Sequence, residues 1–312
     1  MEDNILWLIC EQKSVRLCFY MLAPYLHEDK NNFYAKLVYS TQECFQEGNI
    51  LKVKGEEKWY KTIHYMENNN RRTVDDLHVQ ELACRFGFDR ANGMWNSLNA
   101  IPKESVTKIV YPPMILDVYG ESEIKDLLKE IADFYYLRVE DLTLSGSGGF
   151  FHSPISELND LDVIVPINSE KQLVAVNELK IPRNASKVRQ KNKFWSLRWI
   201  NDFNLIVCPF FIYGEIGNPV IAIRQTNKRV KGKIKITNSN YGIFNIPLYE
   251  CVGVIESLMI KASFLRGEIK NNSAFTIDCP IYKVTEGLWA GREIALIKDY
   301  RSAVELLESE EK

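Results

Sequence analysis

Two stretches of the sequence decide the predicted fold: Leu142-Thr143-Leu144-Ser145-Gly146-Ser147 and Asp160-Leu161-Asp162-Val163-Ile164-Val165. The first run has the apolar character of a strand and breaks at Gly146-Ser147. The second is an almost wholly apolar strand with two aspartates at alternate positions. Side chains two residues apart on a strand face the same side. Asp160 and Asp162 are therefore predicted to stand together, with Leu161 on the opposite face.

Two neighbouring carboxylates repel each other unless a cation lies between them, and hard oxygen ligands favour Mg²⁺. The Gly146-Ser147 turn offers backbone N–H groups and a hydroxyl, which suit a phosphate. Simpler roles compete with these, because Ser147 also fits an ordinary turn and Asp160 also fits a cap before the strand. Asp162 lies inside an apolar strand, where an unpaired charge is costly. The pair is therefore predicted to bind a divalent cation.

These residues resemble the signature of the polymerase-beta-like nucleotidyltransferase superfamily. That signature is an apolar strand ending in Gly-Ser, a spacer of about a dozen residues, and Asp-apolar-Asp in the next strand. The resemblance covers about residues 120–212. It implies that Asp160 and Asp162 hold Mg²⁺ or Mn²⁺ and are catalytic, and that Gly146 and Ser147 bind a nucleoside triphosphate. The segment 236–249 is also similar to uncharacterised archaeal-type predicted nucleotidyltransferases.

The family usually has a third carboxylate on a later strand, and this chain departs from that pattern. The run Phe203-Asn204-Leu205 is expected to form the equivalent strand, with Asn204 in the catalytic position. An amide coordinates a metal through its oxygen but is a poor base. Asp202 is the nearest carboxylate and is a candidate third metal ligand. Either Asp202 substitutes, or catalysis is weakened, or the site only binds nucleotide.

Two basic runs offer cations for phosphates. The first leads into a predicted β-hairpin, and Lys193 and Arg198 are its candidate nucleotide-binding residues; a solvated basic hairpin fits the same residues. The second, Lys228 to Lys235, is a candidate contact for RNA or DNA. Its alternative is the charged outer face of a strand.

Overall numbers indicate an ordinary globular protein, with 312 residues and a formal net charge of −2. The charge gives no global attraction to nucleic acid, so any basic surface must be local. Seven scattered cysteines without a C-x-x-C pair predict reduced thiols in the cytoplasm. No apolar run approaches the ~18 residues of a membrane span, and no secretory leader is predicted.

The predicted fold class is α+β: a nucleotidyltransferase-like mixed sheet with helices, flanked by an N-terminal α+β region and a small C-terminal β-barrel or sheet. The expected domains are 1–111, 112–225 and 226–312, with consecutive prolines at 112 and 113 ending the first.

Three functions fit the sequence. The first is a metal-dependent nucleotidyltransferase that moves a nucleoside monophosphate from a triphosphate to a hydroxyl acceptor, with nucleic acid as one candidate acceptor. The second is a degenerate relative that binds nucleotide or nucleic acid as a regulatory module. The third is a β-rich adaptor in which Asp160 and Asp162 are structural.

Overall fold

The computed structural model describes residues 5–21, 31–45, 48–91, 98–120, 124–179, 186–187, 197–261, 266–298 and 302. The chain divides into two compact units, which are described separately. The first contains the described residues up to Pro112 together with Phe150–His152, and the second contains the remainder.

The first unit is an antiparallel sheet with one complete α-helix and one 3-10 helix among its described residues. The elements are β1 (Leu6–Gln12), β2 (Val15–Met21), β3 (Asn32–Ser40), β4 (Asn49–Lys54), β5 (Glu57–Glu67), β6 (Asn70–Thr73), α1 (Asp76–Arg85), β7 (Asp89–Arg90), β8 (Asn99–Pro102), the 3-10 helix Lys103–Ser105 and β9 (Val106–Val110). The strands follow the order β4-β5-β3-β2-β1-β9, while β6 pairs with β5 and β8 pairs with both β3 and β7.

Alternation along these strands gives the first unit two apolar clusters. Leu8, Phe19 and Leu37 pack in one cluster with Val79 and Ala83 of α1. The α1 helix begins after Asp75, whose carboxylate accepts a hydrogen bond from the His78 N–H at 2.9 Å. The second cluster is aromatic and contains Trp7, Tyr39, Trp59, Phe150 and Phe151.

The second unit contains a five-stranded sheet with the order β10-β11-β14-β13-β12. The β11 and β14 strands are parallel, and the other pairs are antiparallel. The elements of this part are α2 (Ile115–Tyr119), α3 (Lys125–Phe134), β10 (Thr143–Leu144), α4 (Gly146–Phe151), β11 (Asp160–Ile167), α5 (Glu170–Leu179), β12 (Ser186–Lys187), β13 (Trp199–Ile200) and β14 (Ile206–Tyr213). The last two residues of α4 belong to the first unit.

The second unit also contains a closed barrel of five strands with the order β15-β16-β17-β19-β18. Only β17 and β19 pair in parallel in it. The inward side chains, among them Ile236, Leu258 and Phe275, form its core. The strands are β15 (Ala222–Asn238), β16 (Leu248–Gly253), β17 (Ser257–Ile260), β18 (Ala274–Glu286) and β19 (Glu293–Ile297).

The fold class predicted from the sequence is wrong. Of the described residues, 48% lie in strands and 21% in helices, so the chain is dominated by large curled antiparallel sheets and is not a polymerase-beta-like α+β fold. The resemblance to that superfamily covers only about residues 120–212. The β-branched and aromatic residues before them favour strands and form the sheet of the first unit. The N-terminal region expected to be α+β is a sheet with one α-helix and one short 3-10 helix in its described part.

Candidate metal centre

The β11 strand presents two carboxylates on one face. Asp160 and Asp162 are half-buried, whereas the intervening Leu161 and the following Val163 are buried. The period of two along a strand produces this alternation. The polar atoms of the two aspartates lie within 4.8 Å of each other, close enough for both to contact one cation.

The parallel neighbour β14 brings a thiol to the same place. Cys208 is the register partner of Asp162, and its sulfur belongs to the same 4.8 Å group. The Cys208 thiol donates a hydrogen bond to Asp160 Oδ2 at 3.8 Å. The structure therefore joins Asp160, Asp162 and Cys208 into one set of potential metal ligands.

The Gly-Ser turn lies directly against this set. The Ser145 N–H donates to the main-chain oxygen of Asp162 at 2.9 Å, which ties the turn to β11. Gly146 has a φ of +58°, and a Cβ atom added there would lie 1.9 Å from Asp162 Oδ2. Glycine is therefore required twice, for its left-handed backbone and for its missing side chain. The carboxylate and the turn form one continuous site.

The turn is supported from behind by Tyr119. A Cβ atom added at Gly148 would lie 3.2 Å from the Tyr119 hydroxyl. That hydroxyl donates to the Ser153 carbonyl at 2.7 Å. The Gly149 N–H donates to the Ser145 carbonyl at 3.0 Å, which closes the first turn of α4. These contacts fix the backbone that faces Asp162.

Burial and two neighbouring aspartates hold Cys208 in its neutral form. Burial is the largest cause that raises the pKa of the Cys208 thiol, and the charges of Asp162 and Asp160 raise it further. The guanidinium groups of Arg198 and Arg266 act in the opposite direction and lower it. Cys208 is therefore a neutral thiol beside two half-buried carboxylates.

Arg266 fixes the strand segment that carries Cys208. Its Nη1 donates to the Pro209 carbonyl at 2.8 Å and to Asn245 Oδ1 at 3.1 Å. Its guanidinium lies 4.8 Å from the centroid of the Phe210 ring. Pro209 has no N–H to donate to a neighbouring strand. The bond from Arg266 to its carbonyl therefore helps to hold this part of β14 in position.

The structure separates the predicted site residues into two groups. Gly146 lies at the site, Ser147 follows it in the first turn of α4, and Arg198 is near enough to influence the Cys208 thiol. Asn204 and Asp202 are exposed in the segment that precedes β14, and the Asp202 carboxylate does not belong to the ligand set. Lys193 lies outside the described residues.

Asn204 does not lie in the strand that was expected to carry it, because β14 begins at Ile206. Asn204 has a φ of +54° and donates its N–H to the Asn201 carbonyl at 2.9 Å, so it ends a turn. The first strand residue is Ile206, the register partner of Asp160. Cys208 therefore takes the position that the sequence assigned to Asn204. The sequence would have identified Cys208 only if the pairing of Ile206 with Asp160 had been known, because Cys208 lies two residues further along the strand.

Comparisons with models of protein families, with curated proteins and with solved structures find no match for this chain. None of the helices in the described part of the chain has the length and apolar character that a membrane crossing requires.

Substitution of Gly146 tests the contact between the turn and Asp162. Gly146→Ala is expected to lower the free energy of unfolding by about 1 kcal/mol because of its positive φ. The new methyl group is also expected to push the Asp162 carboxylate out of place and to weaken Mn²⁺ binding.

The matched control is Gly55→Ala, since Gly55 has a φ of +64° with nothing within 4 Å of an added Cβ. Urea unfolding and calorimetric Mn²⁺ titration measure both quantities. Equal Mn²⁺ affinity in the two variants would contradict the contact.

Proposed function

We propose that this chain is a metal-dependent nucleotidyltransferase that transfers a nucleoside monophosphate from a nucleoside triphosphate to a hydroxyl acceptor. Asp160 and Asp162 hold Mg²⁺ or Mn²⁺, and the Gly146-Ser147 turn receives the phosphates. The observation that carries the proposal is the contact between Gly146 and the Asp162 carboxylate, because it joins a cation site to a phosphate site.

The chemistry assigns a role to each part. Asp160 and Asp162 would hold the metal, which when bound would supply charge neutralisation for the phosphates and a lower pKa for the attacking hydroxyl. The acceptor oxygen bonds to the α-phosphorus, and the bond from that phosphorus to the pyrophosphate oxygen breaks. The hydroxyl proton passes to solvent, and pyrophosphate leaves with the pair of electrons of the broken bond. The positive charge of Arg198, near Cys208, is suitably placed to attract the triphosphate.

Cys208 favours a second candidate, which is nucleotide binding without turnover. A neutral thiol is a weak ligand for a hard cation, so only two of the three groups carry the charge that Mg²⁺ prefers. A site with two charged ligands is better suited to binding one metal–nucleotide complex than to activating an acceptor hydroxyl. A regulatory nucleotide-binding module fits this arrangement.

The cysteines support a reducing location for either function. All seven cysteines are free thiols, and five of them are buried: Cys10, Cys18, Cys208, Cys251 and Cys279. Disulfides are rare in the cytoplasm, where thiols stay reduced. We infer a cytoplasmic protein.

Metal-dependent nucleotide binding and pyrophosphate release separate the two candidates. Wild-type protein is expected to bind a labelled nucleoside triphosphate in Mg²⁺ or Mn²⁺ and to lose it in EDTA. Release of pyrophosphate in the presence of a hydroxyl acceptor supports the transferase, and binding without release supports the module. Asp202→Asn is the matched control, because this exposed carboxylate lies outside the ligand set, and it is expected to behave as wild type. Nucleotide binding that is equally tight with metal and in EDTA would contradict both candidates.

A further inference from the structure

The ligand set of the candidate metal centre combines hard and soft donors. Asp160 and Asp162 offer carboxylate oxygens and Cys208 offers sulfur, with one donor atom of each within 4.8 Å of the others. Carboxylates suit Mg²⁺ and Mn²⁺, whereas thiolates favour softer ions such as Zn²⁺. The proposed nucleotidyltransferase chemistry uses the two carboxylates and gives the thiol no task.

Backbone pairing fixes the thiol beside the carboxylates. The β11 and β14 strands are parallel, and their pairing runs without interruption from Asp160–Ile206 to Ile167–Tyr213. Cys208 is the register partner of Asp162 within that run. Neighbouring strands lie about 4.8 Å apart, so side chains paired on one face can reach a common ion. The three donors are therefore assembled by the sheet itself.

The distance between sulfur and oxygen matches that of zinc ligands. A tetrahedral ion with a Zn–S bond of ~2.3 Å and a Zn–O bond of ~2.1 Å holds the two ligand atoms about 3.6 Å apart. Cys208 Sγ lies 3.8 Å from Asp160 Oδ2. An octahedral Mg²⁺ with bonds of ~2.05 Å holds adjacent ligands about 2.9 Å apart. The pair is therefore spaced for a zinc ion and is too wide for adjacent ligands of Mg²⁺.

The surroundings of the sulfur suit a bound thiolate. Cys208 is fully buried, with 0% of its surface exposed, so water does not compete for the sulfur. A thiolate and two carboxylates carry three negative charges, of which one Zn²⁺ neutralises two. The guanidinium groups of Arg198 and Arg266 act on the sulfur with positive charge. That charge acts in the direction that stabilises the remaining negative charge at a buried site.

An ordinary packing role does not account for this thiol. Cysteine often behaves as a small apolar core residue, and Cys251 and Cys279 do so in the apolar core of the barrel. The Cys251 thiol donates to the Ile255 carbonyl at 3.3 Å. Cys208 instead donates to a carboxylate and lies opposite a second one. Its neighbours are metal ligands by type, whereas those of the barrel cysteines are apolar.

The ligand set leaves a coordination position open. In the part of the chain that the structure describes, the group has three members and no fourth His, Cys, Asp or Glu. Structural zinc sites have four protein ligands, whereas sites with three keep one position for water or another ligand. The Gly146 turn lies against the Asp162 carboxylate. An ion held here would therefore lie next to the turn proposed to receive phosphates.

We propose that Asp160, Asp162 and Cys208 bind Zn²⁺, and that this ion excludes the Mg²⁺–nucleotide complex from the site. As the Zn–S bond forms, the proton of the thiol passes to solvent. The carboxylates that Zn²⁺ occupies are the same two that are proposed to hold Mg²⁺, so the two ions compete. Zinc binding stands on the geometry of the three donors, whereas its inhibitory effect rests on the proposed function.

Cobalt substitution tests the ligand set directly. Full-length protein freed of metal and nucleotide is titrated with Co²⁺, which adopts the tetrahedral geometry of zinc and absorbs in the near ultraviolet by charge transfer when a thiolate binds it. Wild-type protein is expected to show this band and to lose it when Zn²⁺ is added.

Cys208→Ser is expected to lose the charge-transfer band and to keep its affinity for Mg²⁺. Its affinity for Zn²⁺ should fall at least about 100-fold, the upper end of what groups that only orient metal ligands contribute. Cys251→Ser is the matched control, because Cys251 is a buried thiol outside the ligand set, and it should behave as wild type. Far-ultraviolet circular dichroism checks that both variants are folded.

Two results in these titrations overturn the zinc site. One is Co²⁺ binding to the wild type without the band, and the other is a band that persists in Cys208→Ser. Equal losses of Zn²⁺ and Mg²⁺ affinity in Cys208→Ser would show that the thiol is structural and also overturn it. If the serine variant does not fold, Asp160→Asn replaces it, since this variant keeps the thiol and should need more Co²⁺ to reach the same band.

Competition with nucleotide separates the zinc site from the enzymatic function. Zn²⁺ is expected to displace a labelled Mg²⁺–nucleoside triphosphate from the wild type but not, at the same concentration, from Cys208→Ser. A charge-transfer band in a protein that binds no nucleotide supports the zinc site and contradicts the proposed function. Mg²⁺–nucleotide binding without the band does the reverse. Zn²⁺ that binds without displacing the nucleotide overturns the exclusion.

Discussion

Asp162→Asn is expected to weaken metal-dependent nucleotide binding by at least about 100-fold. Groups that only orient metal ligands already change affinity 10- to 100-fold, and Asp162 is itself a proposed ligand. Asparagine keeps the shape of the side chain but removes its charge. The bond from the Ser145 N–H uses the main-chain oxygen of residue 162, so it survives the substitution. Calorimetric titration with Mn²⁺ and a non-hydrolysable nucleoside triphosphate gives the affinity.

Stability without metal separates a metal ligand from a structural carboxylate. Asp160 and Asp162 lie close together on one face and repel each other when no cation is present. Removal of one charge is therefore expected to maintain or raise the melting temperature in EDTA and to abolish the increase that Mn²⁺ gives the wild type. Asp160→Asn should act in the same direction. If both variants bind Mg²⁺-nucleotide as tightly as the wild type, the two carboxylates are structural.

The local arrangement of the site was predictable because it follows from short-range rules. Alternation along β11 places Asp160 and Asp162 on one face, and the break at Gly146 places a turn before them. Both features depend on neighbours in sequence. Their direct contact at Gly146 was not predictable, since it depends on how β10 pairs with β11.

The third position of the site shows where sequence reasoning stops. Phe203, Asn204 and Leu205 have strand-like composition, yet Asn204 adopts a left-handed backbone and the strand starts at Ile206. A shift of four residues keeps the same face of the strand but exchanges Asn204 for Cys208. The parallel register between β11 and β14 decides this exchange, and its partners are more than 40 residues apart. No local pattern encodes that pairing.

The barrel illustrates the same limit for the fold. The strands Leu248–Gly253 and Ala274–Glu286 lie in the C-terminal region for which a small β-barrel or sheet was predicted. The pairing of β15 with β18 and the parallel pairing of β17 with β19 close the barrel, and both join distant segments. Local propensity locates strands, whereas closure depends on how their apolar faces pack together. The sequence therefore left open the choice between a barrel and a sheet.

Cys208→Asp is expected to give a protein that depends on metal for its stability. The new carboxylate would lie opposite Asp162 in the register of β11 and β14, at a buried position. Without metal, three carboxylates in one place are expected to lower the free energy of unfolding by about 3 kcal/mol, as a buried unpaired charge does. Urea unfolding in EDTA measures this loss. Cys208→Asn is the matched control, because it has the same shape without the charge and should lose less.

Metal should reverse the loss in Cys208→Asp, whereas it should stabilise Cys208→Asn no more than it stabilises the wild type. A cation that binds only the folded protein stabilises it by RT ln(1 + [metal]/Kd), and a third charged ligand lowers Kd. Saturating Mg²⁺ is therefore expected to recover most of the ~3 kcal/mol in the aspartate variant. If the thiol limits turnover in the wild type, pyrophosphate release should also rise in this variant. A loss of stability that Mg²⁺ and Mn²⁺ do not reverse would mean that Asp160 and Asp162 hold no cation. In that case the Gly146 turn and the two carboxylates are parts of the packing of β11.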